Sequence, residues 1–427
     1  MQSDHSNNIY RLPDFCKDSF CIYGAGIIAT SIYTAIRTLY NKKPLFFLVS
    51  DAAEGKCDEN PLEIDGITVK RLSEWKKELQ DYKQADQQSN QHNNESWQSS
   101  TDSLIPKHYL IVTPEVHQPA IVASLRSLDV ISINDSQITL FTNDLENEYM
   151  EAYYSSLPGC NTVRKLLAEA YNRNEIKDAQ GTESNDMAVI GKYEGDCKVQ
   201  IYQAKCHVDR PLQNPVENPS YIYPIQVGAA LTDLTISELR DNTGENISYK
   251  NRNYCELTAT YYAWKNSHAA YKGLCHYRRI FDISDAQMQA LMEKQAEWDV
   301  ILPYPTIHYP NISTQHIRYI NDSDWKAMQI AIKETVPEYF EAYNNLISSG
   351  EQYFYNFNML IARADIFDDY CDFLFKVLKR AEELTIPKGA DRADRFAGYM
   401  GENLTTLYFH KNREKLNILY SGKAWLT

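Results

Sequence analysis

No two cysteines in this chain stand at CxxC spacing, no apolar run approaches the ~20 residues of a membrane-spanning helix, and basic residues do not outnumber acidic ones. Each absence excludes a class. The nine cysteines (Cys16, Cys21, Cys57, Cys160, Cys197, Cys206, Cys255, Cys275 and Cys371) are odd in number and scattered, which speaks against a disulfide framework or a zinc site and for free thiols in a reducing compartment. The first residues, Met-Gln-Ser-Asp-His-Ser-Asn-Asn, lack the basic start and apolar core of a signal peptide, so the expected location is cytoplasmic. With 43 Lys and Arg against 57 Asp and Glu, the net charge of −14 argues against nucleic-acid binding, which needs a basic face to displace counterions. It does not argue against a phosphorylated small molecule, which a few converging Arg, Lys or backbone N–H groups can hold. The 31 tyrosines leave room for a surface facing sugar or lipid.

At 427 residues the chain is too long for one ordinary core, and 43% apolar residues suffice for two. Ser-Phe-Cys-Ile-Tyr-Gly-Ala-Gly (19–26) reads as a buried strand entering a glycine turn, and 27–40 has helical periodicity. Further strands are expected at 44–50, 66–69, 108–113 and 130–140, with a helix at 120–128, which is the alternation of a doubly wound α/β domain. Gln80 to Thr101 is rich in Gln, Asn and Ser and reads as a solvated insertion. The resulting division is a domain over 14–145, a helical and polar linker over 146–196 with its most polar stretch at 174–186, and a second α/β domain over 197–427. In the second domain strands are expected at 199–205, 272–277, 299–302 and 355–362, and helices at 253–266, from Trp325, and through Phe367, Tyr370, Leu374 and Leu378.

Gly24-Ala-Gly26-Ile-Ile-Ala29 fits the GxGxxA turn between strand and helix, where N–H groups and the helix dipole can meet a phosphate, and Asp51 past the second strand can accept from a ribose hydroxyl. The glycines equally fit a purely structural need for close packing, and both readings stand. Together with Ile64-Asp-Gly-Ile-Thr-Val-Lys-Arg-Leu72 the segment resembles the Rossmann-like, nucleotide-sugar-associated domain that precedes sugar acetyltransferases in polysaccharide loci. The resemblance covers about 17–130 and implies ligand binding or docking.

The second half carries several motifs in order: Asn246-Ile-Ser248, Tyr254-Cys-Glu-Leu-Thr-Ala259, Tyr262-Ala-Trp-Lys-Asn266, Gly273-Leu-Cys-His-Tyr-Arg-Arg279, Asn356-Phe-Asn-Met359, and Arg395-Phe-Ala-Gly-Tyr-Met-Gly-Glu402-Asn-Leu404. Over about 199–415 these resemble a capsular and exopolysaccharide glycosyltransferase family long labelled a domain of unknown function. Asn403, Tyr399 and Tyr262 depart from the family's usual Arg, Phe and Trp. The resemblance implies a GT-A-like fold, a nucleoside-diphosphate donor of UDP type carrying galactofuranose or another hexose, and a capsular, exopolysaccharide or O-antigen acceptor. A lipid-linked acceptor would bring the protein to the inner face of the membrane as a peripheral partner.

Transfer from such a donor needs the leaving diphosphate neutralised, commonly by a divalent metal on an Asp-x-Asp pair at a strand end. The corresponding strand ends in His276-Tyr-Arg278-Arg279 with no carboxylate, so forked hydrogen bonds from Arg278 or Arg279 are expected instead. Pairing of these arginines with surface carboxylates is the alternative. No metal ligand is assigned, although Mn or Mg fits the chemistry in general. Asp322-Ser-Asp324 reads as a helix cap rather than a metal pair. Glu402 is the candidate general base, with capping or an ion pair to Arg395 as the structural reading, and His276 is the second candidate catalytic group. Glu256, on the small-residue face of its expected helix, would hold a sugar hydroxyl or orient His276, and Lys205 and His207 lie where base and ribose would rest. Asn246 and Asn358 complete the expected donor contacts. An NAD(P)-dependent oxidoreductase is the first rival, but the second half shows no catalytic Tyr–Lys motif. A non-catalytic sugar-nucleotide scaffold is the second.

Overall fold

The computed structural model describes residues 12–51, 60–89, 105–168, 198–212, 217–314, 320–386 and 393–426. The chain divides into two compact α/β units, one of residues 1–153 with 306–310, the other of residues 154–305 with 311–427.

In the first unit the elements are β1 (Phe20–Tyr23), α1 (Ile27–Tyr40), β2 (Phe47–Val49), β3 (Glu63–Ile64), β4 (Ile67–Arg71), α2 (Leu72–Ser89), β5 (His108–Ile111), α3 (Gln118–Arg126) and β6 (Ile138–Leu140). The sheet runs β3-β4-β2-β1-β5-β6, parallel except for the short β3. Alternate residues serve opposite faces. Cys21, Tyr23 and Leu48 pack with Trp75, Leu79 and Leu125, while Phe47 on the other face meets Tyr33 of α1 with ring centroids 5.4 Å apart. Chain order reverses between β1 and β5, which is the doubly wound arrangement.

Two expectations change here. Residues 80–89 belong to α2, which is anchored by fully buried Trp75 and Leu79, so this part of the expected insertion is helical; the remainder, 90–101, falls outside the described residues. Only 138–140 of the expected strand 130–140 is extended, because Asn134 and Gln137 form a capping box around a short 3₁₀ turn.

The helix α4 (Asn143–Ser156) is followed by β7 (Asn161–Thr162) and a single turn, α5 (Val163–Leu166). The expected linker thus contains sheet structure: Asn161 and Thr162 pair with Leu419 and Tyr420. Its polar stretch 174–186 lies outside the described residues.

The second unit continues with β8 (Val199–Lys205), β9 (Ile222–Gln226), β10 (Leu239–Arg240), α6 (Asn251–Tyr254), α7 (Leu257–Asn266), β11 (Tyr271–His276), β12 (Arg279–Phe281), α8 (Asp285–Glu293), β13 (Val300–Pro303), α9 (Asp322–Thr335), α10 (Phe340–Ser348), β14 (Leu360–Arg363), α11 (Ala364–Leu384), α12 (Phe396–Asn412), β15 (Ile418–Ser421) and β16 (Lys423–Trp425). The sheet order is β10-β9-β8-β11-β14-β13-β15-β7, with β12 and β16 forming a ribbon off β11. All neighbours along the main sheet are parallel except β14, which runs against both β11 and β13.

Strand alternation again divides the core. Tyr202, Ala204, Leu274, Leu302 and Leu360 face the helices α7, α9, α11 and α12, while Ile201, Tyr271, Cys275, Ile301 and Ile361 face Trp298 and α8. The helix α11 buries Phe367, Tyr370, Cys371, Leu374, Leu378 and Ala381, a run at three- and four-residue spacing. At the centre of β11, a side chain on Gly273 would put its Cβ 2.1 Å from the Leu360 carbonyl oxygen on β14. Gly273→Ala should therefore lower stability by about 2–3 kcal/mol, as overpacking in a closed core does, and urea unfolding of the variant measures it. A loss under half a kcal/mol would mean that the strands separate without cost.

The helix expected over 253–266 is broken. Cys255 takes φ 51°, ψ −128°, ending α6, and Glu256 becomes the residue that precedes α7 instead of one on its face. The extended stretch expected from Tyr355 is interrupted by two successive left-handed residues, Phe357 (φ 76°) and Asn358 (φ 49°), before β14 begins. Asn321, not an aspartate, caps α9 by accepting from the Asp324 N–H at 2.9 Å, so Asp322 and Asp324 form the acidic first turn. The cysteines that lie among the described residues are free thiols, and no helix among the described residues is long and apolar enough to cross a membrane.

Candidate active site

Strand order sets the place. The chain runs from β8 outward through β9 and β10 and returns to β11 on the other side of β8, so the carboxyl ends of β8 and β11 open a crevice of the kind in which α/β sheets hold ligands. Ala204 lies opposite His276 across this pair, which puts Lys205, His207, His276, Arg278 and Arg279 along one edge. Because β14 is antiparallel, its beginning reaches the same edge and delivers Phe357 and Asn358 there. Glu256 arrives from the break before α7, and Glu402 from the second turn of α12.

One residue's backbone organises the acids and bases. The Phe357 N–H donates to Glu402 Oε1 at 2.7 Å, and the Phe357 carbonyl lies 2.5 Å from His276 Nε2. A carbonyl only accepts, so Nε2 carries the proton. Burial lowers the His276 pKa below its ordinary value, the Glu256 charge 4.0 Å away acts against this, and the Arg279 charge adds to the lowering. Burial pushes the Glu402 carboxyl from its ordinary value up to about 7, with the Glu256 charge adding to the rise and the Phe357 N–H and Arg279 opposing it. A group so poised is half ionised near neutrality, which suits proton transfer. Glu402 neither caps its helix nor bonds to Arg395, so neither of its structural readings holds.

Asn358 is fully buried, and its amide donates to Glu256 Oε1 at 2.7 Å and to the Gly398 carbonyl at 3.1 Å. Both amide protons are thus engaged within the protein: Asn tolerates the left-handed conformation, and its side chain ties the turn to α12 and Glu256. The Asn246 amide closes its own turn by donating to the Gly244 carbonyl at 2.9 Å and accepting from the Ser248 N–H at 3.2 Å.

The arginines show the opposite. Arg278 and Arg279 form no ion pair or hydrogen bond through their side chains among the described residues, so pairing with surface carboxylates is not what they do. Arg279 packs against the Phe357 and Trp425 rings, 4.4 and 4.1 Å from their centroids, and its buried Nε has no partner. Burial lowers its pKa and Glu402 acts against that, but an arginine remains charged. Arg395, in the left-handed position before α12, donates its Nε to Cys255 Sγ at 3.2 Å. Asp209, whose carboxylate accepts from the Cys206 N–H at 2.6 Å, is raised in pKa by burial while Arg395 and Arg278 act to lower it. His207 contacts Cys206 Sγ through Nδ1 at 3.8 Å, and Lys205 ends β8 beside it. The result is a cationic crevice with Glu256, Glu402 and Asp209 at its walls.

Among the described residues no group of three or more His, Cys, Asp or Glu side chains could hold a metal ion, and the strand-end groups are guanidinium ions.

Sequence reasoning missed Asp209, Phe357 and Trp425 altogether, and took Arg395 only as a possible partner of Glu402. It also missed Asp241, fully buried, which accepts from the N–H groups of Gly228 and Ala229 at 2.9 and 3.1 Å, from Ser248 Oγ, and from Thr258 Oγ1 at 2.7 Å. Its place directly after a short strand was the available signal.

In the first unit Gly24 has φ 130°, and a Cβ there would stand 2.4 Å from the Val112 carbonyl oxygen, so close packing explains it. Gly26 begins α1 with open space around it. Asp51 accepts from the Ser73 N–H at 3.2 Å and from Ser73 Oγ at 2.5 Å at the start of α2, a capping arrangement. Gly24→Ala should cost about 2 kcal/mol and Gly26→Ala under 1, readable as melting shifts; equal losses would contradict the packing explanation.

The family model described as "Domain of unknown function (DUF4422)" matches residues 206–413, just under half of the chain. No curated protein matches the chain. Similar solved structures include the apo form of the bifunctional glycosyltransferase WbbM, at 26% identity and TM-score 0.47 over 54% of this chain and 45% of that one. Another is the mannosyltransferase Ktr4p from S. cerevisiae, at 10% identity and TM-score 0.25 over 62% of this chain and 80% of that one. The chain thus spans under half the length of the WbbM chain.

Proposed function

We propose that the second unit is a glycosyltransferase moving a hexose from a nucleoside-diphosphate donor, UDP-linked, to a growing surface glycan. The observation that carries this reading is the pair of unpaired guanidinium groups, Arg278 and Arg279, at the switch point beside a carboxyl poised near pH 7. The family match overlaps the motifs whose resemblance points to the same chemistry.

The steps follow from the groups present. Glu402, ionised, accepts the proton of an acceptor hydroxyl as its oxygen bonds to the anomeric carbon. The bond from that carbon to the diphosphate breaks, the electron pair leaves with the phosphate oxygen, and Arg278 and Arg279 stabilise the charge that develops there. Glu256 and Asn358 hold the turn, and Lys205, His207 and Asp209 line the side where nucleoside would rest. The acceptor is a capsular, exopolysaccharide or O-antigen chain, carried on lipid at the inner face of the membrane.

The test is thermal stabilisation of the chain by UDP, GDP, CMP and NAD, with and without manganese. A ligand at a hundred times its Kd adds about 2.7 kcal/mol. A shift with UDP that is independent of manganese and lost in Arg278→Ala and Arg279→Ala supports the reading. A shift with NAD alone, lost on Gly26→Trp, overturns it in favour of a nicotinamide-binding protein.

A further inference from the structure

Arginine side chains that bind anions are usually oriented by carboxylates, which fix the plane of the guanidinium through hydrogen bonds. Arg279 has none among the described residues. Its guanidinium rests against two aromatic rings instead, with the Phe357 centroid 4.4 Å from Cζ and the Trp425 centroid 4.1 Å from it, the two rings being inclined at 81° to each other. The chain builds this from two directions. Phe357 comes from the left-handed turn that also carries Glu402 and His276, and Trp425 stands directly opposite Arg279 in the antiparallel pairing of β12 with β16. The pairing is closed by the Leu426 N–H donating to the Arg278 carbonyl at 2.9 Å. Aromatic faces attract the cation but accept none of its in-plane protons. None of its five N–H bonds is given to a carboxylate or carbonyl among the described residues, and the buried Nε is one of those without a partner.

We infer that Trp425 is a positioning residue for phosphate recognition: together with Phe357 it holds the Arg279 guanidinium in place for the diphosphate of the donor without a carboxylate to compete for it. The inference rests on the proposed donor chemistry. It adds that strand β16, outside every motif discussed above, determines donor affinity through one aromatic ring. A carboxylate in the same role would orient the arginine but would also cancel its charge. Two rings hold it and leave that charge intact.

The experiment is calorimetric titration with UDP and, separately, with inorganic pyrophosphate, on the full chain and on Trp425→Phe, Trp425→Ala, Arg279→Ala and the Arg279→Ala/Trp425→Ala double variant. Melting temperatures confirm that each is folded. Trp425→Ala should weaken both probes about tenfold, and Trp425→Phe, which keeps a ring face, about threefold or less. The decisive arm is the double variant: if Trp425 acts through Arg279, the double variant binds no more weakly than Arg279→Ala. A Trp425→Ala variant that binds like the wild type, or losses that simply multiply in the double variant, overturns the inference while leaving the phosphate reading intact. Wild-type affinity in Arg279→Ala, or no binding of either probe by the wild type, overturns the phosphate reading and the inference with it. Should Trp425→Ala fail to fold, Trp425→Leu replaces it, since leucine fills the space without a π face.

Discussion

Glu402→Gln should lose about 10²- to 10⁴-fold in transfer rate and at the same time unfold at a higher temperature above pH 7. The rate loss follows from removing the group that accepts the acceptor's proton. The stability gain follows from linkage. The Glu402 carboxyl titrates near 7 in the folded chain against an ordinary 4.5, so between those values the folded state holds a proton that the unfolded state has released. Unfolding free energy therefore falls as pH rises from about 4.5 to 7, and the full cost of the buried charge is present above 7. Glutamine still accepts the Phe357 N–H but never ionises. The melting temperature of the variant minus that of the wild type should grow across this window and level off above it, while wild-type kcat should rise with pH through about 7 as the base loses its proton. Scanning calorimetry from pH 4.5 to 8.5 with rate measurements on the same samples checks both. A variant that retains activity removes Glu402 from the chemistry, and a pH-independent difference in melting temperature means the carboxyl is not raised.

Asn358→Leu should be the most destructive substitution at the site, costing about 3–5 kcal/mol and abolishing activity. Two physical losses add. The Glu256 carboxylate and the Gly398 carbonyl lose a buried donor, worth about 1.5–3 kcal/mol where the acceptor is charged. Leucine must also occupy φ 49°, which costs a branched, non-Asn residue about 1–2 kcal/mol. Asn358→Gly separates them, since glycine accepts the conformation and loses only the hydrogen bonds. The glycine variant should recover part of the stability in chemical denaturation but little of the activity. If leucine and glycine behave alike, the left-handed turn carries no cost; if glycine restores full activity, the amide bonds do not matter to function.

The parts of the fold that could be read from the residues were those set by local periodicity. Phe20–Tyr23, Ile27–Tyr40 and Phe367 to Leu378 lie where their spacing puts them, because alternation and three- to four-residue repeats are properties of neighbouring side chains. Gln80 to Ser89 misled because a helix with one buried edge, here Trp75 and Leu79, leaves its remaining positions as polar as a loop. At the site, Arg278, Arg279 and Glu402 were accessible from their residue types and the strand end they follow. Trp425 and Asp209 were not, because their relation to Arg279, Arg278 and Arg395 arises from pairings across the sheet that no local pattern records. Asn246 and Asn358 show the same limit: an amide near a turn in sequence is indistinguishable from an amide aimed at a ligand until its partners are known.

The reversed direction of β14 has a consequence for how such a site can diversify. A uniformly parallel sheet would gather all its ligand-facing groups from loops that leave strands, and altering a loop would disturb recognition and chemistry together. Here Phe357, in a segment entering a strand, connects Glu402 to His276 through its N–H and its carbonyl, while the side proposed for the nucleoside is formed by segments leaving parallel strands. Exchanging residues 206–212 or 227–238 between relatives should therefore change which donor is accepted and leave the pH dependence of transfer where it was, so that substrate choice and reaction chemistry are separately heritable traits of one domain.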